Sequence, residues 1–133
     1  MAGHTNGFIA FKLVHGVPFL SVEVSANNRT VLLDNVLIDS GSATCLFSAD
    51  KMLDVGLVCA GTDDLYIVSG VGGGEYVLSK TVDSIRVGCF SVDNFKIEIG
   101  AMDYGFGFDG IIGMNFLLAT KAKLDCERSV LIE

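Results

Sequence analysis

The chain has 133 residues, of which 50% are hydrophobic and 19% are charged. This length and composition predict one globular domain, spanning 1–133, with a core of its own. The formal net charge of −7 comes without any cluster of Lys or Arg, which argues against nucleic acid as a partner and against an anionic membrane surface.

The first residues and the cysteines bear on the compartment. The opening MAGHTNG lacks the basic and apolar regions of a signal peptide, and no apolar stretch approaches the roughly 20 residues of a membrane span. The cysteines are widely spread without a C-x-x-C pair, which is typical neither of zinc sites nor of disulfide frameworks. We therefore expect a cytoplasmic protein, or a domain excised from a longer protein or polyprotein, with no membrane insertion, no metal and no cofactor.

Period-two alternation of apolar and polar residues dominates the sequence and predicts an all-β domain. After a loose segment at 1–7, residues 17–25 and 29–38 predict a hairpin about a turn at 26–29. This hairpin runs directly into an aspartate. The stretch 48–57 contributes at most a turn or two of helix.

The second half of the chain continues the strand pattern. Glycines cluster in VSGVGGGEYV at 68–77, between two strand-like runs, and residues 86–92 predict a strand–turn–strand about Gly88. In FKIEIG at 95–100 the apolar and polar residues alternate strictly. Residues 113–120 predict one short helix, and the last twelve residues predict two short strands about a turn.

Three stretches carry the functional signal, and the first is VLIDSGSATCLF at 36–47. Apolar runs flank Asp39, so its carboxylate would lie deep in the protein, where it costs free energy unless it is hydrogen-bonded or used in chemistry. This pattern suits a hydrolase in which Asp39 activates water. Ser40 can lock the loop by hydrogen bonding, and Gly41 permits a close approach of backbone or partner.

The second stretch is the glycine cluster. It reads G-x-G-x-x-E and precedes a strand, so it does not fit a dinucleotide-binding loop, and it lacks the Lys of a phosphate-binding loop. The alternatives are an ordinary wide hairpin and a mobile hairpin whose backbone approaches a ligand. The number of glycines favours the mobile hairpin. The candidate residues are Ser69, Gly70, Val71, Gly72 and Gly73.

The third stretch is DGIIGMNFL at 109–117. Ile111, Ile112 and Gly113 predict a buried strand that ends in a close backbone contact and leads into the helix. We interpret Asp109 as a cap or turn residue.

Taken in this order, the three stretches resemble the aspartic proteases of the retropepsin type. Asp39-Ser40-Gly41 matches the catalytic motif, the glycine cluster matches the flap, and Ile111–Gly113 matches the segment that threads behind the catalytic loop. The resemblance covers roughly 17–133. It implies a closed pepsin/retropepsin-type β-barrel lobe with a glycine-rich flap hairpin and one short helix.

The resemblance also implies a mechanism. Aspartic proteases need two carboxylates that share a proton, and this chain has one such motif, because Asp109 does not follow the pattern. We therefore expect a symmetric homodimer in which one Asp39 comes from each chain, acting on a peptide or protein substrate. Ser40 would brace the two loops, and Val71 would offer its backbone N–H to substrate. If the Ser42 hydroxyl reached Asp39, it would lower the pKa of the carboxylate pair.

The sequence departs from the retroviral pattern at two places. Many retroviral members carry an Asp after the motif and an Arg after the later Gly, which pair with each other; Ala43 and Met114 occupy these positions here. No charge is left without its partner, so the fold is unaffected, while substrate contacts made by that Asp would be missing. The terminal hairpin resembles bacterial single-domain members more than retroviral ones.

Two other function classes remain for this sequence. The chain could be a non-catalytic pepsin-like dimeric module that binds extended peptides or protein partners, although a binding module has no need of a buried carboxylate pair. A cysteine hydrolase is a poor fit, because the only histidines, His4 and His15, lie near the N-terminus and outside any recognisable pairing with a cysteine.

Overall fold

The computed structural model of the chain describes residues 7–58, 65–70, 73–102 and 107–133. Strands make up most of these residues, as the alternation predicts. In chain order the strands are β1 (Phe8–Ala10), β2 (Lys12–Val14), β3 (Val17–Ala26), β4 (Arg29–Ile38), β5 (Leu46–Ser48), β6 (Leu65–Gly70), β7 (Gly73–Val87), β8 (Phe90–Gly100), β9 (Gly110–Ile112), β10 (Lys123–Asp125) and β11 (Val130–Ile132).

Helix is confined to two short elements in the described part of the chain. The first, α1 (Ala49–Met52), continues into a 3₁₀ turn at Leu53–Val55, and the second is α2 (Met114–Thr120). The expected single helix is therefore joined by one more, in the stretch that was expected to give a turn or two. Neither helix is long and apolar enough to cross a membrane.

Six strands close into a barrel. Neighbouring strands are hydrogen-bonded in the order β3, β4, β9, β5, β8 and β7, and an additional pairing of β3 with β7 closes the ring. Strand β2 extends the sheet beyond β3, and β6 extends it beyond β7. The β3–β4 hairpin turns at Asn27 and Asn28, which both have positive φ, as a tight two-residue turn requires.

The arrangement of β4, β9 and β5 determines where the candidate site lies. Strand β9 lies between the other two, parallel to β4 and antiparallel to β5. The chain that connects β4 to β5 must therefore cross the end of β9. This connection is the loop 39–45, which contains the Asp-Ser-Gly motif.

The two ends of the chain form a separate three-stranded antiparallel sheet in the order β1, β11, β10. The C-terminal pair of strands was predicted, whereas β1 and β2 were not. The backbone N–H of Glu133 donates to the carbonyl of Gly7 at 3.0 Å, so the described chain is already anchored at residue 7.

The barrel core contains the inward-facing side chains of these strands. Val36 and Ile38 of β4, Phe47 of β5 and Ile112 of β9 are buried. Full burial of such a side chain contributes roughly 1.5–3 kcal/mol relative to exposure. Because these four residues flank the loop 39–45, the core holds both ends of the loop in place.

Candidate active site

Backbone hydrogen bonds hold the loop 39–45 against the end of β9. The N–H of Asp39 donates to the carbonyl of Ile112 at 2.9 Å, and the N–H of Met114 donates to the carbonyl of Ser42 at 2.7 Å. The N–H of Ser42 also donates to the carbonyl of Asp39 at 3.1 Å, which closes a tight turn. The structure thus brings the first and third predicted stretches together.

The Asp39 carboxylate has a defined orientation in this turn. The backbone N–H of Gly41 donates to Asp39 Oδ1 at 2.9 Å, and the side chain is half-buried. A hydrogen bond to an ionised acceptor is about twice as strong as one between neutral groups. This bond leaves the second carboxylate oxygen available for other contacts.

Gly113 is required by the way the loop crosses β9. A Cβ at this position would overlap the carbonyl group of Thr44 and would lie 2.8 Å from the carbonyl oxygen of Ser42. Both obstacles are backbone atoms, so a side-chain rotation cannot relieve them. The close backbone contact expected at Gly113 is present.

The Ser42 hydroxyl does not have the role considered from the sequence. It donates to the carbonyl of Thr44 at 2.8 Å. A hydroxyl has one proton to donate, so it does not donate to Asp39 in this arrangement. Ser42 stabilises the loop backbone two residues further on, because a short hydroxyl side chain readily satisfies a nearby carbonyl.

Cys45, the last residue of the loop, and Asn115 of α2 were missed as site residues. The Cys45 thiol donates to Asn115 Oδ1 at 3.3 Å and accepts from the N–H of Gly113 at 3.4 Å. Asn115 Oδ1 also accepts from the N–H of Phe116 at 2.9 Å at the start of α2. Burial raises the pKa of the Cys45 thiol to about 11, so the group is neutral and links the loop to the helix.

Asp109 lies away from the loop, in a structural role. Its Oδ2 accepts from the backbone N–H of Asn35 at 3.1 Å, and its own N–H donates to the carbonyl of Asn35 at 2.8 Å. The parallel register pairs Gly110 with Val36 and Ile112 with Ile38. Asp109 therefore lies about four residues, or roughly 13 Å, along the strands from Asp39. The interpretation of Asp109 as a turn residue agrees with these contacts.

The glycine cluster lies on a hairpin formed by β6 and β7. Ser69 pairs with Gly74, and Gly70 pairs with Gly73. Val71 and Gly72, the two residues between these strands, lie outside the described residues. The predicted hairpin is therefore present, while its proposed movement and its contact with substrate remain predictions.

Comparisons with known proteins assign the family. The model of a family described as aspartyl protease matches residues 22–116, which include the Asp-Ser-Gly loop, the glycine cluster and the β9 segment. The chain belongs to the aspartyl protease family. A comparison with curated protein sequences finds no match.

A solved structure supports the fold of this aspartyl protease. The chain is similar to a retropepsin-like aspartic protease from Rickettsia conorii, with a TM-score of 0.67 over 98% of this chain and 100% of the other, at 18% sequence identity. At this identity the likeness concerns the fold. It confirms the expected retropepsin-type barrel, and the family assignment makes the protein an aspartic-type protease, a hydrolase of peptide bonds.

An apolar pocket of about 640 Å³ in this aspartyl protease is lined in part by β4, the strand that leads to Asp39. Leu37 and Asn35 of β4 line it, together with Phe19 and Phe108, whose rings meet edge to face at 5.2 Å. Alternate residues of a strand share a face, so the Asn35 and Leu37 side chains project to the same face of the sheet. The pocket therefore opens on this face.

A bound metal ion would need several His, Cys, Asp or Glu side chains close together. In the described ranges no group of three or more His, Cys, Asp or Glu side chains is arranged to bind one.

Met114, which stands where many retroviral members have an Arg, is 38% exposed. The exposed apolar side chain begins α2 directly beside the loop.

Proposed function

We propose that the chain is an aspartic endopeptidase that acts as a symmetric homodimer, with Asp39 of each protomer meeting at the two-fold axis. The observation that carries the proposal is the geometry of the loop 39–45. One half-buried carboxylate is oriented by the N–H of Gly41 and held by backbone bonds to the end of β9. A two-fold interface places each residue opposite its own copy, so a dimer provides the second carboxylate without another motif.

The proposed reaction needs one proton on the pair. Two carboxylates a few ångströms apart cannot both ionise readily, so they share a proton. The ionised carboxylate takes a proton from water, which attacks the peptide carbonyl carbon, while the protonated partner gives its proton to the carbonyl oxygen. One hydroxyl of the tetrahedral intermediate then returns its proton to the pair, the C–N bond breaks, and the departing nitrogen takes up the other proton of the pair, which again holds one.

The other predicted site residues support this step. Gly41 and the backbone of Ser42 hold the loop, and Ser40 would brace it against the partner's loop. The N–H of Val71 would bind the substrate backbone from the flap. Gly113, with its close contact to Thr44, lets the loop pack directly against the end of β9.

The apolar pocket favours a peptide or protein substrate with a large apolar side chain near the scissile bond. Leu37 is two residues upstream of Asp39, which corresponds to about 7 Å along the strand. Its neighbours in the pocket, Phe19 and Phe108, are aromatic. Such a lining gains free energy by removing an apolar side chain from water.

The proposal is tested with a mixed peptide library. The wild-type protein is expected to cut internal peptide bonds, and the Asp39→Asn variant is expected to cut none, because the nearly isosteric amide cannot act as a base. Specific activity should also fall on dilution as the dimer dissociates. Sedimentation that shows a fully active monomer would exclude the dimer, and a wild-type protein that binds peptides without cutting them would favour the non-catalytic module.

A further inference from the structure

A row of side chains crosses the face of the sheet that carries Leu37, two residues before Asp39. Leu37 of β4 pairs with Ile111 of β9, and Ile111 pairs with Leu46 of β5. Paired residues on neighbouring strands project to the same side of a sheet. These three half-buried apolar residues, which we call the cleft floor, lie opposite the core-facing Ile38 and Phe47.

The same row continues into two polar residues. Leu46 pairs with Glu98 of β8, and Glu98 pairs with Ser79 of β7. Glu98 is only 8% exposed, although strict alternation with Ile97 and Ile99 predicts a polar, solvent-facing position. Ser79 Oγ is buried without a hydrogen-bond partner. A carboxylate and a hydroxyl thus occupy adjacent positions at the end of an apolar floor.

Buried polar groups are ordinarily satisfied, so the Ser79 hydroxyl is an exception that needs a cause. Among the described residues, Ser79 Oγ is a buried side-chain oxygen without a hydrogen-bond partner, and it lies next to the buried Glu98. A carboxylate accepts hydrogen bonds from a cation, and a hydroxyl oxygen can accept one more. The chemistry that would satisfy both groups is an ammonium or guanidinium group entering from the cleft.

The position of the pair limits which part of a substrate reaches it. Three strand spacings of about 4.8 Å separate Leu37 from Glu98, roughly 14 Å across a flat sheet and less in a curved barrel. An extended peptide advances about 3.3 Å per residue. A substrate residue within about four positions of the scissile bond can therefore place its side chain at Glu98.

We propose that Glu98 and Ser79 form a polar subsite that selects substrates with a Lys or Arg side chain within about four residues of the cleaved bond. The proposal rests on the proposed protease function. The net charge of −7 favours the approach of basic peptides to the same protein. Glu98 is thus a specificity residue, distinct from the apolar pocket beside Leu37.

The test uses peptides that share one cleavable core and carry Lys, Arg or the uncharged norleucine at each position around the scissile bond. Wild-type protein should cut the Lys and Arg peptides with a kcat/KM about 10- to 100-fold above that of norleucine at one position. Glu98→Gln should reduce this ratio to near one, while cleavage of the norleucine peptide persists. Glu127→Gln, an acid-to-amide change at an exposed residue of the β10–β11 turn, should leave the ratio unchanged.

A second measurement separates this inference from the proposed function. Binding of the same peptides to the Asp39→Asn variant is followed by fluorescence anisotropy, with and without Glu98→Gln, so it does not depend on cleavage. Should Glu98→Gln fail to fold, Ser79→Ala is used instead, with an expected loss of about fivefold in the preference. The subsite would be overturned if the wild type showed no preference for Lys over norleucine. It would also be overturned if the Glu98 and Ser79 variants kept that preference.

Discussion

Gly113→Ala should disrupt the loop 39–45. The new Cβ would overlap the Thr44 carbonyl group and lie 2.8 Å from the carbonyl oxygen of Ser42, so the loop must move away from β9. Overpacking a close contact costs about 1–3 kcal/mol, and we expect about 3 kcal/mol here because both obstacles are backbone. For a chain of this size, that corresponds to a fall in Tm of roughly 12 °C.

The matched control is Gly107→Ala, since a Cβ at Gly107 meets nothing within 4 Å. Its free energy of unfolding should stay within about 0.5 kcal/mol of the wild type. Thermal unfolding of the three proteins is measured at one protein concentration, because a dimer makes Tm concentration-dependent. Below the transition, kcat/KM of Gly113→Ala should fall by about 100-fold, as expected for a displacement near 1 Å. Equal Tm values for the two alanine variants would refute the account of the loop.

Three further substitutions test the other assignments. Asp109→Asn should keep substantial activity, because the amide oxygen of the new side chain can still accept from the N–H of Asn35. Asp39→Asn should not, and peptide cleavage by the two variants decides this. Ser42→Ala should lower stability by about 1 kcal/mol in urea unfolding and leave the pH–rate profile in place, since its hydroxyl bonds to a carbonyl; a shifted profile would show contact with Asp39. Burial raises the pKa of Cys45 from 9.0 to about 11. The contribution of the neutral thiol to the free energy of unfolding is therefore complete below pH 9 and is lost as pH rises through about 11. Between pH 8 and pH 12 the free energy of unfolding should fall by about 2–3 kcal/mol more in the wild type than in Cys45→Ser. Equal falls in the two proteins would contradict this role of Cys45.

The strands and the order of the motifs could be predicted from the sequence because they depend on local patterns. The alternation in β3 and β8 and the Asn-Asn turn at 27–28 each reflect the conformation of a few neighbouring residues. Gly113 was interpretable for the same reason, since a glycine between an apolar strand and a helix indicates close backbone packing. These features required no knowledge of distant contacts.

The features that were missed depend on pairings between distant segments. Strand β1 is stabilised by pairing with β11 at the other end of the chain, which a local pattern does not reveal. The bond between Cys45 and Asn115 joins residues 70 positions apart. Glu98 lies on the polar side of an alternating strand, yet it is only 8% exposed in the folded chain. Burial of a polar face is a tertiary property.

If each active site needs Asp39 from two chains, mixing wild-type and variant subunits should abolish most of the activity. A fixed amount of wild-type protein is combined with a tenfold excess of Asp39→Asn protein, and exchange is verified with an affinity tag on one of them. Random pairing leaves about one wild-type chain in eleven with a wild-type partner, so cleavage should fall to roughly a tenth of its starting rate. Cleavage that stays at the starting rate after complete exchange would contradict the shared site.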